Sequence, residues 1–125
     1  MANVLVVEDQ QRMAHTLSTL LELEGHSVFN ALEGSAVLKL VVEEGIDIVL
    51  LDVHLSTENG QEISGMEILD RIRRQPGSGD PIVIMTSGSD LQEQVIQAGA
   101  DGFLMKPYMP DRLLTLIQSH LAESG

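Results

Sequence analysis

No cysteine occurs among the 125 residues, so neither a disulfide framework nor a Cys-ligated metal site is open to this chain. Long apolar runs are also missing, and none approaches the roughly 20 residues that a membrane-spanning helix requires. The N-terminal segment MANVLVVEDQ carries no basic residues ahead of its first apolar run, and no signal peptide is expected. Positive charge is scarce: seven Lys and Arg stand against nineteen Asp and Glu, for a net charge of −12. So acidic a surface repels phosphate backbones, and direct nucleic-acid binding is not expected. These absences together lead us to expect a cytoplasmic location.

What is present suits one compact domain over residues 1–125. Four short apolar runs read as buried strands: NVLVV at 3–7, DIVLL at 47–51, PIVIM at 81–85 and DGFLM at 101–105. A fifth, weaker candidate is SVFNA at 27–31. Almost no polar residue interrupts the stronger runs, which is the signature of strands covered on both faces, as in parallel sheets. Helical spacing fills the intervals. Met13, Leu17, Leu20, Leu21 and Glu24 share a face, and Gly25 follows as a stop. Val37, Leu38, Val41 and Val42 repeat the pattern before Gly45. Met66, Leu69, Ile72 and Arg73 come next, then Leu91, Val95 and Ile96 before Gly99. Leu113, Leu114, Ile117 and Leu121 close the chain behind Pro110, a good first-turn residue. Five β–α units in alternation predict a doubly wound α/β fold.

Ligand sites in open α/β sheets lie just beyond the carboxyl ends of the strands. Glu8 and Asp9 follow the first run, and Asp52 follows the third. Thr86 and Ser87 end the fourth, and Lys106 and Pro107 end the fifth. Three carboxylates brought together repel one another and call for a cation. An all-oxygen set suits Mg²⁺ or Mn²⁺. A lysine and a hydroxyl can each hold a phosphoryl oxygen, and a carboxylate can attack phosphorus to form an aspartyl phosphate. Each group alone has an ordinary structural reading. Asp9 could cap the first helix, and a lone Asp after a strand is commonly a turn residue. The weight lies in the conjunction, because four strand ends supply four complementary groups.

Segments VLVVED at 4–9, DIVLLDVHL at 47–55, GMEILDRIR at 65–73, PIVIMTSG at 81–88 and AGADGFLMKPY at 98–108 resemble the receiver domains of two-component response regulators. The resemblance spans nearly the whole chain. It implies a flavodoxin-like (βα)5 fold with a five-stranded parallel sheet in the order 2-1-3-4-5. It also implies Asp52 as phospho-acceptor, Asp9 as a direct Mg²⁺ ligand and Glu8 as its acidic neighbour. The His54 position would complete the metal site through its backbone carbonyl. Thr86 matches the switch hydroxyl, Lys106 the lysine that pairs with the phosphoryl group, and Phe103 the aromatic switch position. Lys106–Pro107 matches a bond that is usually cis in the family. The implied partners are a sensor histidine kinase or phosphotransfer protein upstream, and a downstream protein or output domain that reads the face formed by residues 90–122. A homodimer on phosphorylation is a further implied partner. Such a domain is a signalling switch with autocatalytic transfer and loss of its phosphoryl group, rather than an enzyme.

Two other functions remain open on the sequence. An aspartyl phosphatase of the haloacid-dehalogenase type would place a second Asp two residues after the nucleophile, where this chain has His54. A receiver-like interaction module that is never phosphorylated would not need the set Glu8, Asp9, Asp52, Thr86 and Lys106. Three features depart from the family pattern. Ser56 occupies the position of the usual proline four residues past the acceptor. Gly60–Gln61–Glu62 and Gly65–Met66–Glu67 compete for the family glycine, and the second is preferred because Ser64 and Glu67 form a capping box before the apolar pattern. That choice leaves a polar insertion at about 56–63, either a tolerated loop or a gate beside the site. Met109 stands where a polar cap is expected before Pro110, which predicts a weak start to the last helix. The His54 side chain could tune the lifetime of the phosphoryl group or be an exposed loop histidine. Gly88 would leave water access open. Arg71, Arg73 and Arg74 are accounted for by the C-terminal dipole of their helix.

Overall fold

The computed structural model describes residues 2–56 and 59–124, the last of these by its backbone alone. Five parallel strands form the central sheet: β1 (Asn3–Val7), β2 (Ser27–Asn30), β3 (Ile48–Asp52), β6 (Ile82–Ser87) and β7 (Gly102–Met105). They lie in the order β2-β1-β3-β6-β7, which is the 2-1-3-4-5 arrangement expected. Five helices connect or follow them: α1 (Gln11–Leu23), α2 (Gly34–Glu43), α3 (Gly65–Arg74), α4 (Gln92–Gln97) and α5 (Pro110–Ser124). A separate two-stranded antiparallel ribbon, β4 (His54–Ser56) with β5 (Glu62–Ser64), stands between β3 and α3. The expected insertion at 56–63 is therefore in part an ordered ribbon, while Thr57 and Glu58 lie outside the described residues. No described helix is long and apolar enough to cross a membrane.

Alternation along each strand sorts the core into two layers. Leu5, Val7, Val49, Leu51, Val83 and Met85 pack on one face, with Val37 and Val41 of α2, Leu69 and Ile72 of α3, and Val95 of α4. Val4, Val6, Ile48, Leu50, Ile84 and Leu104 pack on the other, with Leu17 and Leu21 of α1 and Leu113 and Ile117 of α5. The helical faces expected from spacing hold except at their margins. Ile96 and Val42 are 43% and 41% exposed, and Glu24 is the exposed C-cap of α1. Gly25, Gly45 and Gly99 take the positive φ expected of helix stops.

Three strands begin one residue later than their apolar runs suggest. Asp47, Pro81 and Asp101 precede them, and the two aspartates bind the neighbouring strand through their side chains as well as their backbone. Asp47 Oδ2 accepts from the Asn3 amide at 2.8 Å, and Asp101 Oδ2 from the Val83 amide at 2.9 Å. Arg73 organises the same end of the sheet. Its guanidinium donates to the carbonyls of Gly99 at 2.9 Å and Pro81 at 2.7 Å, and to Asp101 and Asp80, each at 2.9 Å. The dipole account of this arginine is thus incomplete: Arg73 joins α3 to the segments that enter β6 and β7. The Asp80 arm contributes little, since that carboxylate is 85% exposed and screened by water.

Gly65 opens α3, and Ser64 caps it by accepting from the Glu67 amide at 3.4 Å. The Gly65 amide donates to the Val53 carbonyl at 2.7 Å. A Cβ at this position would run into the Asp52 carbonyl oxygen, with the Asp52 carbonyl carbon and Val53 Cα both at 2.9 Å. Gly60, the competing glycine, has a φ of 80°, as a turn glycine does, and no described residue comes within 4 Å of the place of its missing Cβ. Gly65→Ala should cost roughly 2 kcal/mol in urea unfolding, because backbone rather than a flexible side chain blocks the methyl. Arg73→Ala should cost about 1–3 kcal/mol by the same measurement, through the two carbonyls it leaves unpaired. Arg73→Lys should recover only part of that loss, because an ammonium lacks the planar fork.

Candidate functional site

The alternation that builds the core continues into the site. On the face that packs against α1 and α5, the series Val4, Val6 leads on to Glu8. Ile48, Leu50 leads on to Asp52, Ile84 to Thr86, and Leu104 to Lys106. Asp52 is in register with Thr86, and Thr86 with Leu104. The apolar residues of this face thus give way to polar ones where the strands end. Each such residue inherits its direction from a buried neighbour two positions earlier.

Asp52 is the last residue of β3 and is 7% exposed. Lys106 Nζ donates to Asp52 Oδ2 at 2.7 Å and to Glu8 Oε1 at 3.1 Å. Burial works to lower the affinity of Lys106 for its proton. The hydrogen bonds and negative charges of Asp52 and Glu8 outweigh it, and the pKa is raised. Burial and the adjoining Asp9 carboxylate hold the Glu8 pKa above its ordinary value, against the opposing pull of the Gln10 amide and Lys106. Burial also pushes the Tyr108 phenol up.

Glu8, Asp9 and Asp52 each offer a carboxylate oxygen, and these atoms all lie within 4.8 Å of one another. Lys106 contacts two of the three acids, Asp52 and Glu8, so the donor set carries uncompensated negative charge. Hard oxygen donors at this separation fit a divalent cation such as Mg²⁺. Asp9 does not cap α1: the N-cap is Gln10, without a side-chain bond, and it is Glu8 Oε2 that accepts from the Gln10 amide, at 3.1 Å. Asp9 Oδ2 instead accepts from the Ser56 amide at 2.9 Å.

The remaining candidates fall around this centre. Thr86 is 6% exposed, and its carbonyl accepts from the Val53 amide at 2.9 Å. The His54 amide donates to Asp52 Oδ1 at 3.2 Å, while its side chain is exposed. Along a strand the N–H and C=O of one residue point to the same edge, so the His54 carbonyl lies on the Asp52 side as well. The Lys106–Pro107 peptide is cis. Phe103 is half-buried against the α2–α3–α4 layer. Among the described residues, nothing lies within 4 Å of where a Cβ on Gly88 would stand. Met109 is 68% exposed, and its carbonyl accepts from the Arg112 amide in the first turn of α5. Sequence reasoning missed the contact of Ser56 with Asp9. The one available signal was the absence of proline at position 56, which leaves an amide free to donate.

The model of the response regulator receiver domain family matches residues 4–118. A curated relative in Bacillus subtilis, the uncharacterized transcriptional regulatory protein YkoG, is 33% identical over 125 residues, covering 98% of this chain and 52% of that protein. Response regulator ArlR of Staphylococcus haemolyticus is 33% identical over 123 residues, covering 97% of this chain and 53% of that protein. This chain therefore spans about half the length of the curated relatives it matches. Among solved structures, a CheY-like response regulator receiver domain protein from Methanospirillum hungatei superposes with a TM-score of 0.81 at 27% identity, covering 98% and 95% of the two chains. Chemotaxis protein CheY4 of Vibrio cholerae gives a TM-score of 0.82 at 26% identity, covering 95% of this chain and 98% of that one.

A parallel sheet of this order, with an acidic triad and a lysine at its carboxyl edge, belongs to a signalling switch rather than to a scaffold. The chain is a member of the response regulator receiver domain family of two-component systems, whose general function is to be phosphorylated on aspartate.

The raised Glu8 pKa has a stability consequence. Between its ordinary value of 4.5 and the raised one, the folded state holds the proton more firmly than the unfolded chain. Stability is therefore lost as the pH rises through that window, and the loss is complete above it. In the absence of divalent cations, Glu8→Gln should raise the urea midpoint at pH 7, and the gain should disappear as the pH falls below 4.5.

Proposed function

We propose that Asp52 is the phospho-acceptor of this receiver and that residues 1–125 act as one switching unit. The observation that carries this reading is the contact of Lys106 Nζ with Asp52 Oδ2 at 2.7 Å, inside a ring of acids. Among the three clustered carboxylates, Asp52 is the one at the centre of the sheet, flanked by β1 and β6.

An oxygen of Asp52 attacks the phosphorus of a phosphohistidine on a kinase or phosphotransfer protein. The P–O bond forms as the P–N bond breaks, and its electron pair leaves with the imidazole nitrogen. Lys106 exchanges part of its contact with the carboxylate for a phosphoryl oxygen and offsets the new charge. The Thr86 hydroxyl would bind another, a role that the register of Thr86 with Asp52 on the adjacent strand supports. Glu8, Asp9, Asp52 and the His54 carbonyl would hold Mg²⁺, with Mn²⁺ as a substitute. When bound, the cation supplies charge neutralisation for the acids and the incoming phosphoryl group.

Movement of Thr86 toward the phosphoryl group would be relayed through β6 and β7 to Phe103, which pairs with the neighbouring Met85 and is half-buried on the other face of the sheet. The change would be read on the 90–122 face by a downstream protein, an output domain or a second copy. This is a population shift between two conformations. Open space at Gly88 supports ready access of water and hence autodephosphorylation. A cytoplasmic site of action is part of the same reading.

Incubation with acetyl phosphate and Mg²⁺ should add one phosphate mass to the wild-type chain, and chelation of the metal should abolish the addition. Asp52→Asn should show none. Equal labelling of that variant would assign the acceptor elsewhere.

A further inference from the structure

The β4–β5 ribbon touches the site in a way its sequence does not announce. Leu55 pairs with Ile63 across the ribbon, between His54 paired with Ser64 and Ser56 paired with Glu62. Amides two residues apart on a strand point to the same edge. On β4 that edge turns away from β5 and toward the acids. The His54 amide donates to Asp52 Oδ1 at 3.2 Å and the Ser56 amide to Asp9 Oδ2 at 2.9 Å. One short strand edge therefore grips two carboxylates that come from the ends of two different sheet strands, β3 and β1.

We propose that the ribbon is a positioning element of the phosphoryl-transfer site, in which the Ser56 amide fixes the Asp9 carboxylate in the orientation that binds a divalent cation. The inference rests on reading Glu8, Asp9 and Asp52 as the Mg²⁺ site. Asp9 sits in the turn after β1 and is only half-buried, so without a partner its carboxylate would sample several rotamers. A donor to an ionised acceptor is about twice as strong as a neutral pair and directional. It commits one carboxylate oxygen to the ribbon and leaves the other on the side of Glu8. The donor is a backbone group, so the identity of the side chain at 56 is immaterial provided the residue is not proline, which has no N–H. The coupling is also reciprocal: whatever the ribbon adds to cation binding, the cation adds to the hold on the ribbon.

Three chains separate the amide from the side chain: wild type, Ser56→Ala and Ser56→Pro. The Ser56 amide points outside the β4–β5 ladder, and an edge position of this kind accommodates proline. Titration with Mg²⁺ alone, without any phosphoryl donor, should give equal affinities for wild type and Ser56→Ala. Ser56→Pro should bind about tenfold more weakly, the low end of the loss seen when the outer partner of a metal ligand is removed. Equal affinity of Ser56→Pro and wild type would overturn the inference while leaving the acceptor assignment intact, since that is read by phosphate mass on Asp52. A wild-type chain that binds no Mg²⁺ removes the metal reading and this inference with it.

Hydrogen exchange provides a readout independent of proline. In metal-free protein, Asp9→Ala should accelerate exchange at the Ser56 amide by about tenfold, the loss of one charge-assisted bond, while the Leu55 amide, facing β5, stays unchanged. Mg²⁺ should slow exchange at Ser56 in the wild type. A Ser56 amide that exchanges no faster in Asp9→Ala, or no slower on addition of Mg²⁺ to the wild type, would show that the ribbon is not held by Asp9.

Discussion

The Lys106 ammonium reaches across the carboxyl edge of the sheet to both Asp52 and Glu8, and the arrangement of that edge depends on it. Parallel strands deliver their ends to one place. Here that place receives three carboxylates, two of them nearly buried as side chains. Folding such a set without a cation would set like charges against one another in a medium that screens them poorly. One lysine relieves part of the repulsion and leaves the remainder, which a divalent cation and a phosphoryl oxygen can then address. The residual imbalance is what makes the site a site.

Precision at that edge comes from ordinary packing below it. Each polar group continues a same-face series of buried aliphatic residues, so its direction is set by side chains that have no chemistry of their own. Gly65 lets the start of α3 approach the backbone of Asp52, closer than any side chain would permit. At the opposite end of the sheet, Arg73 joins α3 to the entries of β6 and β7. β3 is thereby held at its end by a close backbone approach, and β6 and β7 at their beginnings by one guanidinium.

Much of this was legible beforehand, and the errors share a cause. The runs NVLVV, DIVLL, PIVIM and DGFLM marked four of the five sheet strands, because residues covered on both faces have little room for polar substitution. Boundaries slipped by one residue at Asp47, Pro81 and Asp101, where apolar periodicity says nothing about which groups bind neighbouring backbone. Asp9 was open to a capping role, which is a local decision. The structure resolves it through a partner 47 residues away. Arg73 looked sufficient as a helix-end charge for the same reason. The ribbon was foreseen only as a polar insertion, since three-residue strands carry no period to read.

The sequence by itself determined the class of fold, the candidates for acceptor, metal ligands and lysine, and the helix start at Gly65. Those follow from local rules of burial, alternation and chain stiffness that act over a few residues. Tertiary structure alone decided that Lys106 contacts Asp52 and Glu8 together, that Arg73 joins three segments, and that the edge of β4 grips Asp9 as well as Asp52. Each of these is a contact between segments far apart in the chain. The sequence names the groups able to make it, but only the packed fold selects which partners meet.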